Sequence, residues 1–273
     1  MNTTSASSTE QAKRAVANRE VGSRLIGIGL VVLWLLLWEW IVRFGLGEKF
    51  FSSPSSILAF LYQSLLVTGE LRTPLFATVT RLLGGFMIGV VPALSLGFIM
   101  GRNRRAWFYC APFFAVLGLI PTLAALPWFI IMFGVRDFGK WMIVAAAVFY
   151  PVLYCTTKGV QISRGVKDRS SPSEVALQQS NWAYGAGPWI FTGLKLGMII
   201  GLATLLGAEM FASRTGLGFE VAVTLTRFDF ARGYAAMFAA ALVVYVLWLC
   251  LNSLELALSR KITFGFDKAA RAM

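Results

Sequence analysis

Apolar runs of membrane-crossing length alternate with short polar breaks along almost the whole chain. A helix needs about 20 consecutive apolar residues to cross a hydrocarbon core of about 30 Å. The pattern supplies six such segments, over about 25–44, 74–100, 107–134, 140–157, 189–212 and 232–258. The predicted fold class is therefore all-α integral membrane, with six transmembrane helices in one domain over 23–265 and tails at 1–22 and 266–273.

Local signals refine these segments. Ser53-Pro54-Ser55 reads as a helix start, and Ile57, Phe60, Leu61 and Leu65 follow at helical spacing, which predicts an amphipathic helix on the outer surface. The second span opens near Pro74 with Thr73 as its cap, and Gly84, Gly85, Gly89 and Gly97 let neighbouring helices approach closely in lipid. The third run, Trp107 to Gly134, is too long for one straight crossing and holds Pro112, Pro121 and Pro127, so a kink or break is expected around 121–127. Irregular backbone at membrane depth has to be buried in protein or line a cavity, which makes Pro121, Thr122 and Pro127 candidates for a translocation path. Arg136 to Lys140 is expected to form a brief outer turn, and Asp229 to cap the last span.

Composition excludes a soluble domain: 57% of residues are hydrophobic and 14% charged, against roughly a quarter charged in ordinary globular proteins. The net charge of +12 would suit nucleic acid, but no aromatic-rich basic module accompanies it. Lysine and arginine instead gather on one side. Lys13 to Arg24, Arg102 to Arg105, Lys158 to Arg169 and Arg260 to Arg271 hold fifteen, against nine in the opposite segments, which predicts cytoplasmic N- and C-termini. Cys110, Cys155 and Cys250 are widely spaced in apolar surroundings and read as small buried residues, and with no histidine a metal site is not expected. Glu39 and Arg43 stand four apart, as an ion pair on one helix face would. Arg81 and Glu209 fall near outer span ends, where interfacial snorkelling competes with a role at a path or gate.

The longest polar break in the second half, 158–187, carries the remaining candidate chemistry. Within it Ser171-Pro172-Ser173-Glu174-Val175-Ala176-Leu177-Gln178-Gln179-Ser180 has helix-start chemistry: Ser171 as N-cap, Pro172 at the first position, and Glu174 where a carboxylate meets the positive end of the dipole. A short capped helix on a cytoplasmic loop is something a partner can grip. No phosphate-binding Gly-x-x-x-x-Gly-Lys-[Ser/Thr] loop occurs, and no cluster of carboxylates lies within the spans, so neither ATP binding by that route nor proton-driven transport is written into the chain.

Several ordered pieces resemble the permease subunits of binding-protein-dependent ABC importers of the nitrate, sulfonate, taurine and bicarbonate type. They are Phe51 to Ser55, Thr80 to Phe86, Gly97 to Arg105, Ile120 to Pro127 with Phe133-Gly134, Pro188 to Leu196, Ala208 to Phe211, Gly216 to Phe219 and Phe228-Asp229, and the resemblance they carry extends over roughly 25–265. The resemblance implies a type I importer permease fold and a cytoplasmic Glu-Ala-Ala, three residues, Gly motif that docks on an ATPase. Here the motif departs from its pattern. Aligned without gaps its slots fall on Gly165-Val166-Lys167 and Ser171; a gapped alignment matches Glu174-Val175-Ala176 and puts Ser180 at the glycine, and the helix-start chemistry favours the latter.

The resemblance further implies that the chain is no enzyme and binds no cofactor, ATP being used by a separate cytoplasmic ATPase subunit. A second permease chain, a periplasmic or extracellular solute-binding protein and membrane lipid complete the expected partners, in the bacterial inner membrane. The implied solute is a small anion such as a sulfonate or nitrate, or a vitamin precursor. An ion-gradient-driven secondary transporter is the alternative, with Glu39, Glu209 and Glu255 as its nearest candidates for mid-bilayer ionisable groups.

Overall fold

The computed structural model describes residues 26–27, 29–46, 51–169 and 185–270, and these are built from helices, with no strand among them. In chain order they are α1 over residues 29–41, which ends in a π-turn at Val42–Leu46, then α2 (Pro54–Tyr62), α3 (Arg72–Arg102), α4 (Arg104–Leu119) and α5 (Leu126–Phe133). There follow α6 (Asp137–Arg169), α7 (Gly187–Ala212), α8 (Leu217–Arg227) and α9 (Phe230–Ala270). Among the described residues α3, α6, α7 and α9 are each long and apolar enough to cross a membrane. The α4–α5 pair passes the same test jointly, bent by 79°. The protein is an all-α, multi-pass integral membrane protein.

Small residues set the packing. Along α3, Gly85, Gly89, Ala93, Gly97 and Gly101 recur every four residues and form one ridge, and the four glycines of that ridge lie against α6. Along α7, Gly193, Gly197 and Gly201 form the equivalent ridge against a neighbouring face of α6, where Val144 meets Gly85 of α3 as well as Gly201. α3, α6 and α7 thereby share one core, in which Val144, Val148, Val152 and Leu153 of α6 join Leu82, Phe86 and Val90 of α3 and Met198, Leu202 and Leu205 of α7. Lipid offers no hydrophobic drive for helix association, so close backbone approach and dispersion have to supply it. A Cβ on Gly89 would fall 2.5 Å from the Ala145 carbonyl oxygen, backbone that cannot rotate away. Gly89→Leu is expected to separate α3 from α6 and cost about 3 kcal/mol or more, read as a lowered Tm in detergent while Gly29→Leu, with open space around it, leaves Tm unchanged.

The expected break in the third run is present. α4 continues through Pro112, gives about 24 Å of helix, and stops at Ile120, after which Pro121 leads into a 3₁₀ turn at Thr122–Ala125 and Pro127 opens α5. The expected helix start near Pro54 and the expected cap at Asp229 also form. Ser53 caps α2, its hydroxyl accepting from the Ser56 N–H, and Asp229 caps α9, accepting from the Arg232 N–H at 3.3 Å.

Other expectations need revision. Arg136 to Lys140 is not a turn: Gly134, at φ 81°, ends α5, the break is confined to 134–136, and α6 begins at Asp137. α6 runs on to Arg169, about 50 Å, so the first part of the 158–187 break is helix projecting beyond a bilayer's thickness. α9 likewise extends to Ala270, well past the expected end near 258. Thr73 does not cap α3, which starts at Arg72 without a side-chain cap. Cys155 is buried as expected, but Cys110 is half-buried and Cys250 exposed. The segment 171–180, with Ser171 to Ser180, lies outside the described residues.

Candidate functional site

The start of α3, the start of α6 and the end of α7 come together at one end of the bundle, and their polar residues form a single buried clasp. Glu209, three residues from the end of α7, has no exposed surface, and Arg81 is 7% exposed. Arg81 Nη1 donates to Glu209 Oε1 at 2.9 Å, and its Nε donates to Asp137 Oδ1 at 2.7 Å. The remaining guanidinium donors reach the segment after α7: Nη1 to the Thr215 carbonyl at 2.6 Å and to Ser213 Oγ at 3.3 Å, and Nη2 to Thr215 Oγ1 at 3.1 Å. One planar, permanently charged fork thus ties three chain segments, which a lysine's point charge could not do.

Glu209 closes the clasp from the other side. Its carboxylate accepts from the Thr78 hydroxyl, 2.9 Å from Oε2, and from the Gly218 N–H at 3.0 Å. Thr78 Oγ1 in turn accepts from the Leu217 N–H at 2.8 Å. Leu217 and Gly218 open α8, whose own N-cap, Gly216, has no side chain to offer. Two orphan donors of that helix are therefore satisfied by residues of α3 and α7, with a carboxylate at the positive end of its dipole. A buried charge is tolerable only when paired and hydrogen-bonded, and here both requirements are met.

These contacts correct the snorkelling reading of Arg81 and Glu209. Both lie toward span ends, but they turn inward to each other rather than outward to the interface. Thr78, Asp137, Thr215 and Gly218 are members of the site that the residue pattern left unassigned. Pro121 and Pro127 are exposed on the surface of the single chain, and Thr122 is half-buried. They are not part of the clasp, although the 3₁₀ turn touches α7, where a Cβ on Gly207 would meet Leu123 Cδ1 at 2.6 Å.

Two further carboxylates are also neutralised. Glu39 accepts from Arg43 Nε at 2.6 Å, as its spacing predicted, and from the Ser55 N–H at 3.1 Å, which ties α1 to the first turn of α2. Glu255 of α9 accepts from Lys195 of α7 at 2.7 Å, and Lys195 also donates to Asn252 at 3.0 Å. The described residues include no group of histidine, cysteine and carboxylate side chains that could hold a metal.

Comparison with known proteins places this architecture. A probable ABC transporter permease protein of Brucella abortus is 27% identical over 261 residues, 91% of this chain and 100% of the relative. The chain resembles ABC transporter permeases. The taurine transport system permease protein of Escherichia coli is 28% identical over 205 residues, 72% of this chain and 74% of that one. The nitrate import permease protein of a Synechocystis strain is 29% identical over 153 residues, 54% of this chain and 55% of its own. No family model matches the chain. The apolar helices agree with these names: this is a multi-pass protein of the kind found in the bacterial inner membrane.

Proposed function

We propose that the chain is one of two membrane subunits of an ABC importer for a small anion, joined to a separate ATPase through the cytoplasmic 158–187 loop. The observation that carries this reading is the similarity to an ABC transporter permease along 91% of the chain. Relatives named for taurine and nitrate favour an anionic solute. Under this reading the basic turn at Arg102 to Arg105 faces the cytoplasm and the clasp end faces outward, toward a solute-binding protein. The chain binds no ATP and hydrolyses none; both belong to the ATPase partner.

The broken α4–α5 segment supports a second permease chain. α4 has no buried residue, and Phe108, Phe113, Leu119, Trp128 and Ile131 are exposed beside irregular backbone at 120–125. Backbone of that kind does not face lipid, so the break lines a path or meets a partner chain, with Pro121, Thr122 and Pro127 at that boundary. ATP-driven closure of the ATPases then rocks the helices about this boundary, by rigid-body alternation of access. Against the ion-gradient alternative, Glu39, Glu209 and Glu255 each pair with a cation.

The test is co-purification with the ATPase subunit and ATP-dependent uptake by the reconstituted assembly. Replacing Val175, Ala176 and Leu177 with aspartate is expected to leave membrane insertion intact while uptake falls at least about tenfold, equivalent to about 1.4 kcal/mol of lost coupling. Unchanged uptake in that variant would refute the docking role of 171–180.

A further inference from the structure

Beside the clasp, on its solvent side, lies a cleft of about 440 Å³ lined by Arg81, Arg136, Lys140 and Arg214 together with Ser213 and Thr215. No carboxylate lines it. Asp137 and Glu209 stand nearby, but both are bonded to Arg81, so four cations against two carboxylates leave an excess of two positive charges at this mouth. Arg81 is not the group with charge to offer, since Asp137, Glu209, Ser213 and Thr215 occupy its donors.

Lys140 differs. It is 6% exposed, yet its ammonium makes one hydrogen bond, to the Val135 carbonyl at 3.0 Å, and its nearest carboxylate oxygen, on Asp137, is 4.0 Å away. Arg136 and Arg214 are exposed and make no ion pair among the described residues. Lys140 also sits in the first turn of α6, where the helix dipole adds to the positive potential. A nearly buried ammonium with unfilled donors, in a cleft without a carboxylate, calls for an anion from outside.

We propose that this cleft binds a small oxyanion, with Lys140 as its anchor and Arg136 and Arg214 drawing it in. The assignment of that anion as transported solute rests on the importer reading; the binding itself does not. Arg136 and Arg214 raise the local anion concentration, and Lys140 contributes a directed, charge-assisted hydrogen bond.

The experiment uses the full chain in phosphatidylcholine nanodiscs, titrated with methanesulfonate or nitrate in exchange for chloride at constant ionic strength. Tm is expected to rise saturably, by about 5 °C at full occupancy. Lys140→Gln should abolish the rise. The exposed double variant Arg136→Gln/Arg214→Gln, which disturbs no packing, should weaken the midpoint about tenfold, a factor typical of losing steering charges. A non-saturating shift, or one equal in all variants, overturns the proposal. So does stabilisation that appears only when phosphatidylglycerol replaces phosphatidylcholine, which would make the site a lipid headgroup contact. Loss of uptake in the double variant without any change in the titration also overturns it, because it would assign the arginines to a docking protein. Failure of the chain to co-purify with an ATPase refutes the importer reading and leaves the titration result standing.

Discussion

Arg81→Ala is expected to be the most damaging single substitution in the protein. It leaves Glu209 with no exposed surface and no cation, and it frees Asp137, Ser213 and Thr215 from their shared partner. Breaking a buried pair by removing one member costs about 3–5 kcal/mol, a large part of a typical stability of about 5–15 kcal/mol. Arg81→Lys should fall between wild type and alanine, since an ammonium can satisfy only part of the fork's acceptors. Asp137→Asn should cost about 1 kcal/mol or less, because that carboxylate side chain is 60% exposed. Tm and monodispersity after detergent extraction measure the order. An Arg81→Ala protein with wild-type Tm would show that the clasp does not hold the helices.

Gly216→Val is expected to do comparable harm without changing any charge. Gly216 has φ 123°, a conformation that side-chain-bearing residues rarely adopt, and a Cβ there would run into the Glu209 carboxylate. Strained backbone of this kind costs about 1–3 kcal/mol, and displacing the carboxylate also removes the acceptor of the Gly218 N–H at the start of α8. The expected readout is a fall in Tm together with loss of ATP-driven uptake by the assembled complex. Retention of both would mean that α8 does not depend on Glu209 for its start.

The two substitutions also show where sequence reading stopped short. Arg81 continues the four-residue ridge of Gly85, Gly89, Ala93, Gly97 and Gly101 on α3, and Glu209 continues that of Gly193, Gly197, Gly201 and Leu205 on α7. A charge on the ridge that packs against protein faces inward, so this register was a legible signal that span position alone concealed. Thr78, one turn before Arg81, falls on the same side. By contrast, nothing local pairs Asp137 with Arg81 across 56 residues, or Lys195 with Glu255 across 60. The helical start at Asp137 was also hidden, because a run of charged residues between apolar stretches reads equally as a turn or as a first helical turn.

By itself the sequence determined what the segments are: apolar length marked the expected crossings, of which four single helices and the bent α4–α5 pair qualify among the described residues, proline placed the break at Pro121, and the distribution of lysine and arginine set the expected orientation. Those properties depend on the bilayer and on neighbours a few residues away. The tertiary structure alone decided which charges meet. Their pairing depends on the rotational register of α3, α6 and α7 about one another, which is fixed by glycine ridges packing across residues far apart in the chain.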